Sequence, residues 1–257
     1  MSWKQGELMQ AIAMREIGEP ELLDVPSAPA PREGEVRVHM ELVAISIAEV
    51  RAVRGNRIRH FGQVIDPASP FIYGFAGVGA IAESGVSDLR PGQRVVLSGL
   101  DACGTCEWCR AGLENHCGTM RLSGIDVGSP GFAREFVTLP ARRVFPLPAD
   151  FPAEQACVVS EIATCIHALR QGRLVRGESL AVVGAGRHGR QLIRVAKRHG
   201  ATPIIAIDID DKALARARSA GADVTRHPSE VQDIAADVVV HANSDEGSLG
   251  IALDVAK

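Results

Sequence analysis

Two hydrophobic rhythms run along the chain. At residues 36–42, Val-Arg-Val-His-Met-Glu-Leu, apolar and polar side chains alternate with the period of a half-buried strand. Short apolar runs at 78–82, 94–97 and 136–139, bounded by Gly or Pro, predict further strands, and Pro91-Gly92 fits a tight turn feeding the run at 94–97. Residues 48–54 predict a short helix. Near residue 150 the rhythm changes. Residues 153–171 carry helical spacing, with Ala156, Val159, Ala163, Ile166 and Leu169 on one face. Continuous apolar segments follow at 180–183, 204–207 and 238–240, as expected of strands buried on both faces. Amphipathic segments at 187–199 and 211–220 separate them. This βαβαβ order predicts an α/β fold with a doubly wound parallel sheet over 153–257, preceded by a β-rich domain over 1–152.

Composition narrows the function classes. The formal charge is −3, with acids and bases intermixed, which leaves no electrostatic footprint for nucleic acid or a membrane surface. The opening M-S-W-K-Q-G-E-L-M-Q lacks the apolar core of a signal peptide, and no apolar stretch reaches membrane-spanning length. A cytoplasmic globular protein acting on a small molecule is the expectation.

Candidate chemistry concentrates in two places. Cys103, Cys106, Cys109 and Cys117 fall within one short loop, residues 99–118, of a chain with six cysteines. Four thiolates can close a tetrahedral shell around zinc with no position left for water, the requirement for a structural ion rather than a catalytic one. Two disulfides are the alternative, and they need an oxidising compartment. Cys157 and Cys165 stand apart and read as small buried hydrophobes.

The second place is Gly184-Ala185-Gly186-Arg187-His188-Gly189, a G-x-G-x-x-G between a predicted strand and a predicted helix. Gly184 permits the tight turn, Gly186 admits a pyrophosphate to the backbone, and Gly189 lets helix and strand pack closely. The helix N-terminus, with Arg187 and His188 in its first turn, favours anions. Asp208 ends the next strand, where a carboxylate accepts from both ribose hydroxyls and repels a 2′-phosphate, so NAD is preferred over NADP. The alternative makes the glycines structural and Asp208 a helix N-cap.

With these motifs in order, the chain resembles the medium-chain dehydrogenase/reductase superfamily, in its zinc-containing alcohol and polyol dehydrogenase branch. Further likenesses are E-L-L-D-V-P, P-G-Q-R-V before the cysteine lobe, G-F-A-R-E-F-V, and a connecting helix bearing Thr164. The resemblance implies a GroES-like catalytic domain, a Rossmann domain, an active site in the cleft between them, and a homodimer or tetramer. It also implies that Thr164 packs beside the nicotinamide.

The catalytic metal site departs from that pattern. The family's A-x-G-x-C falls on Ala44-Ile45-Ser46-Ile47-Ala48, its G-H-E on Gly74-Phe75-Ala76, and its remaining ligand on Ser160. The proton relay falls on Val50 and Val53. Methyl, phenyl and lone hydroxyl groups do not hold zinc. A register slip toward Glu49 or Glu161 would rebuild part of the site; otherwise both are surface or capping residues.

One zinc per chain, structural only, is therefore expected. Hydride transfer would then suit a polarised C=C bond or a self-activated substrate. Tyr73, the only tyrosine, is a candidate proton donor beside Gly74, or else a core aromatic. A nucleotide-binding relative with a decayed active site is the rival reading. Six strands are expected of a complete sheet of this type, so the chain reads as C-terminally truncated, without the strands that usually pair between subunits.

Overall fold

A computed structural model of the chain describes residues 8–16, 18–46, 49–50, 70–126 and 128–257. The chain divides into two compact units, Met1–Val159 and Ser160–Lys257. Among the described residues no helix is long and apolar enough to cross a membrane.

The first unit is built from short antiparallel strands: β1 Leu8–Met14, β2 Pro20–Pro26, β3 Glu35–Ala44, β4 Phe71–Ile72, β5 Ala76–Ser84, β6 Arg94–Leu97, β7 Leu100–Asp101, β8 Arg121–Leu122, β9 Phe136–Pro140 and β10 Val144–Pro146. The helices α1, Glu107–Arg110, and α2, Ala153–Ala156, belong to it as well. Five strands form a sheet in the order β10-β6-β5-β3-β9, and three more form β2-β1-β4. Val36, Val38, Ile81, Val95, Leu97, Phe132 and Val137 share one core cluster.

The alternation read at 36–42 breaks locally, because β3 changes register against β5 between Arg37 and Val38 and again between Met40 and Leu42. Arg37 therefore turns inward and is 2% exposed. Its guanidinium donates to Glu83 at 2.8 Å and Ser27 at 3.0 Å, and stacks 4.4 Å from the Phe136 ring centroid. That pairing offsets the desolvation of a buried charge.

The helix expected over 153–171 is two helices. α2 ends at Ala156, and α3 runs Val159–Gln171. Ala156 packs with Val78 and Val96 in the first unit. On α3 the buried residues are Cys165 and Leu169, four apart, whereas Ala163 and Ile166 are exposed. The break near Cys157 rotates the stripe, so the single face read across 153–171 does not exist.

The second unit holds the parallel sheet, in the order β13-β12-β11-β14. Its strands are β11 Leu180–Val183, β12 Ile204–Ile207, β13 Val224–Arg226 and β14 Val238–His241, with helices α4 Arg187–His199, α5 Asp211–Ala220 and α6 Gly247–Asp254. β11 and β12 are buried at every position. Alternate residues explain this. Leu180, Val182, Ile204 and Ala206 pack with Leu192, Ala196, Ala213 and Ala217 of α4 and α5, while Ala181, Val183, Ile205 and Ile207 pack with Ala252 of α6 and with Val255. Both faces are covered, the doubly wound arrangement the apolar runs predict. β13 carries Thr225 and Arg226 and has no comparable run.

Candidate functional site

The cysteine lobe rises from the β7–β8 pair, which registers Leu100 with Leu122 and Asp101 with Arg121. Arg143, 7% exposed, clamps its base: it donates to the Ser98 carbonyl at 2.9 and 3.1 Å and to Ser123 Oγ at 2.7 Å, and meets Asp101 at 3.1 Å. Arg142 donates to the Ala102 carbonyl at 2.7 Å. Within the lobe the four sulfurs all lie within 4.8 Å of one another, with Cys103–Cys109 at 3.9 Å and Cys106–Cys109 at 3.5 Å. A tetrahedral ion with bonds of about 2.3 Å needs sulfurs about 3.8 Å apart, so this donor set fits zinc.

Local hydrogen bonds prepare it. The Thr105 backbone N–H, its hydroxyl and the Cys106 N–H hold the Cys103 thiol down to about 5. The Cys103 N–H also lowers the Cys117 thiol, with help from Thr119. Cys109 is pushed up to about 12, first by burial and then by the sulfurs around it. Thiolates packed this closely repel one another until a cation sits among them.

In the second unit, Gly184 adopts φ +99° and donates to the Ile207 carbonyl at 2.8 Å. A Cβ on Gly189 would lie 1.9 Å from the Gly184 carbonyl oxygen, so helix and strand could not close on any larger residue. Gly186 differs: a Cβ there meets nothing within 4 Å, and no side chain caps α4. Open space thus stands in front of the uncapped amides of the first turn, the setting that binds phosphate. Asp208 Oδ2 accepts from the Ala185 N–H at 2.7 Å and Oδ1 from the Asp210 N–H at 2.9 Å. Each carboxylate oxygen retains capacity for a ribose hydroxyl. The N-cap of α5 is Asp210, which accepts from the Lys212 N–H at 2.9 Å, so capping is not the work of Asp208.

Glu161, whose side chain is 8% exposed, lies 3.5 Å from Arg187 Nε and 3.7 Å from His188 Nε2. Sequence reading missed this contact with the first turn of α4. Thr164 is exposed and its hydroxyl donates to the Ser160 carbonyl at 3.0 Å. His167 is exposed, Cys165 buried and Cys157 half-buried.

Of the segments that correspond to the catalytic ligands, Ala44 pairs with Ala76 at one end of the first unit's five-stranded sheet. Ala48 and Val53 lie outside the described residues; Val50 is half-buried. Ser46 and Glu49 form a reciprocal capping box: Ser46 Oγ accepts from the Glu49 N–H at 3.3 Å, and Glu49 Oε2 accepts from the Ser46 N–H at 2.6 Å. Glu49 Oε1 accepts from the Gly74 N–H at 2.6 Å. This carboxylate is fully buried, and both of its oxygens brace backbone. The S-x-x-E spacing was the available signal for it.

Tyr73 is not the proton donor the sequence offered. It is 1% exposed, its hydroxyl donates to Met14 Sδ at 2.8 Å, and its ring meets Phe71 edge-on at 5.5 Å. Burial, and then the charge of Glu49, push the phenol up to about 12.

A family model for the alcohol dehydrogenase GroES-like domain matches residues 32–149. An alcohol dehydrogenase of Geobacillus stearothermophilus is 30% identical over 254 residues, covering 97% of this chain and 68% of that protein. An L-threonine 3-dehydrogenase of Bacillus velezensis is 33% identical over 159 residues, 61% of this chain and 45% of that one. The chain spans about half the length of the first curated relatives it matches. Among solved structures, the alcohol dehydrogenase TADH from Thermus sp. ATN1 superposes with a TM-score of 0.84 at 27% identity, covering 97% of this chain and 75% of that chain.

Proposed function

The chain belongs to the zinc-type alcohol dehydrogenases of the medium-chain dehydrogenase/reductase superfamily, and from that membership we propose an NAD(H)-dependent oxidoreductase that acts without a catalytic zinc. Its substrate is a small alcohol, carbonyl compound or activated alkene. Cys103, Cys106, Cys109 and Cys117 hold one structural zinc, which braces the lobe and offers no open position to substrate. Such a thiolate site belongs in the reducing cytoplasm.

The nicotinamide cofactor, when bound, supplies or accepts hydride. The Gly184–Gly189 turn receives its pyrophosphate at Gly186, Gly184 and Gly189 shape that turn, Arg187 and His188 add positive charge beside it, and Asp208 takes the ribose hydroxyls. Thr164 contacts the nicotinamide end.

The observation that carries the metal-free reading is the fixed brace of Glu49. The carboxylate that adjoins Ala48 in the sequence spends both oxygens on Ser46 and Gly74, and Gly74, Phe75 and Ala76 add no donor side chain. A zinc ion would have to break those bonds inside a buried site.

Turnover of NADH against ketones and enones, and of NAD against alcohols, tests the proposal. Hydride transfer that survives removal of loosely held zinc supports it. The burial of Tyr73 favours a second reading, a nucleotide-binding relative without turnover; saturable NADH binding with no reaction across the panel selects that reading.

A further inference from the structure

A cavity of about 190 Å³ lies in the first unit beside β9 and the base of the cysteine lobe, walled by Asp101, Ser123, Ser129, Phe132, Arg134 and Arg143 among others. Its charges do not balance. Asp101 is shared by Arg142 at 3.6 Å and Arg143 at 3.1 Å. Arg143 is satisfied by the Ser98 carbonyl and Ser123 Oγ. Arg134 has neither kind of partner: among the described residues its side chain makes no ion pair and no hydrogen bond, and its Nε is shut from water. Its sequence neighbour Glu135 is spent on the Gln10 N–H.

A guanidinium that is partly buried, with an unpartnered Nε and no counter-charge, is costly to hold. Burial lowers Arg134 to about 10, which still leaves it charged at neutral pH. Ser129 adds a hydroxyl with no hydrogen-bond partner among the described residues. The planar fork of a guanidinium matches the paired oxygens of a carboxylate or phosphate. The volume is well below the range of about 300–1,000 Å³ typical of drug-sized ligands, so a single small group fits and a dinucleotide does not.

We infer that this cavity is an oxyanion subsite, in which Arg134 and Ser129 bind one carboxylate or phosphate group, either a free ion or the anionic end of a larger metabolite. The site is separate from the glycine loop of the second unit and independent of the reading of that loop.

Calorimetric titration of the full chain with inorganic phosphate and with acetate, in wild type, Arg134→Met, Arg134→Lys and Ser129→Ala, tests it. One saturable anion site per chain is expected to weaken at least tenfold in Arg134→Met, to persist partly in Arg134→Lys, and to weaken several-fold in Ser129→Ala. Phosphate should raise the melting temperature of wild type but not of Arg134→Met, and without anion the variant should melt no lower than wild type. A tighter constant for glycerol phosphate than for inorganic phosphate assigns the anion to a larger molecule, and the reverse order assigns it to a free ion; either requires the site. No saturable binding of phosphate or acetate, or binding that Arg134→Met leaves unchanged, overturns the inference. So does an Arg134→Met variant that melts lower than anion-free wild type while Arg134→Lys retains no anion response.

Discussion

Replacing Glu49 by alanine is the sharpest perturbation of the first unit. The side chain is fully buried and accepts 2.6 Å hydrogen bonds from the Ser46 and Gly74 amides. Hydrogen bonds to a charged group contribute about 1.5–3 kcal/mol each, and the amides left behind, buried at Gly74 and part-buried at Ser46, lose their acceptor. Glu49→Ala should therefore cost about 3–6 kcal/mol, a large share of the roughly 5–15 kcal/mol that holds a typical domain together. Glu49→Gln keeps one acceptor but sets an NH₂ group against the other amide, so about half that loss is expected.

Urea unfolding followed by far-UV circular dichroism measures both. With a slope of about 1–3 kcal/mol per molar, the alanine variant's midpoint should fall by at least about 1 M. A loss below about 1 kcal/mol would show that these amides find other partners, and the bracing role would be wrong. The zinc content of the two variants should equal that of wild type; a drop would make Glu49 a metal ligand instead.

Asp208→Gly should weaken NADH binding at least about tenfold, because the ribose acceptor and the tie to the Ala185 amide go together; an unchanged dissociation constant by calorimetry argues against that assignment. Cys106→Ser should abolish tight zinc binding and lower the melting temperature, since a three-thiolate remainder leaves an open shell; retained stoichiometric zinc by elemental analysis would contradict it. Asp237 is held below the ordinary carboxylate range by Lys257 first and then by the Ser179 hydroxyl and N–H. Its stabilisation is thus present above the usual aspartate value near about 4 and is lost as pH falls below it. Asp237→Asn should flatten that acid limb of the stability curve, and an unaltered limb would remove Asp237 from the network.

What could be read from the sequence follows from how each element is buried. β11 and β12 are covered on both faces, so their apolar runs are continuous and their bounds fall at 180–183 and 204–207 as the pattern placed them. Cysteine spacing and the glycine fingerprint are local, and the fold brings each set together without long-range help. Features set by tertiary packing were hidden. The register shifts in β3 turned Arg37 inward, the break near Cys157 rotated the face of α3, and β13 had too few apolar residues to signal a strand. Tyr73 looked like a donor because it directly precedes the positions on which the family's ligand motif falls, but only the packing around Met14 and Phe71 decides which way its ring points.

The decisive measurement is metal stoichiometry on dialysed, fully folded protein, by elemental analysis with anomalous scattering to locate each ion. A single tightly held zinc per chain, lost in Cys106→Ser, is the predicted result. A second zinc bound near Ser46, Glu49 and Gly74 would contradict the account.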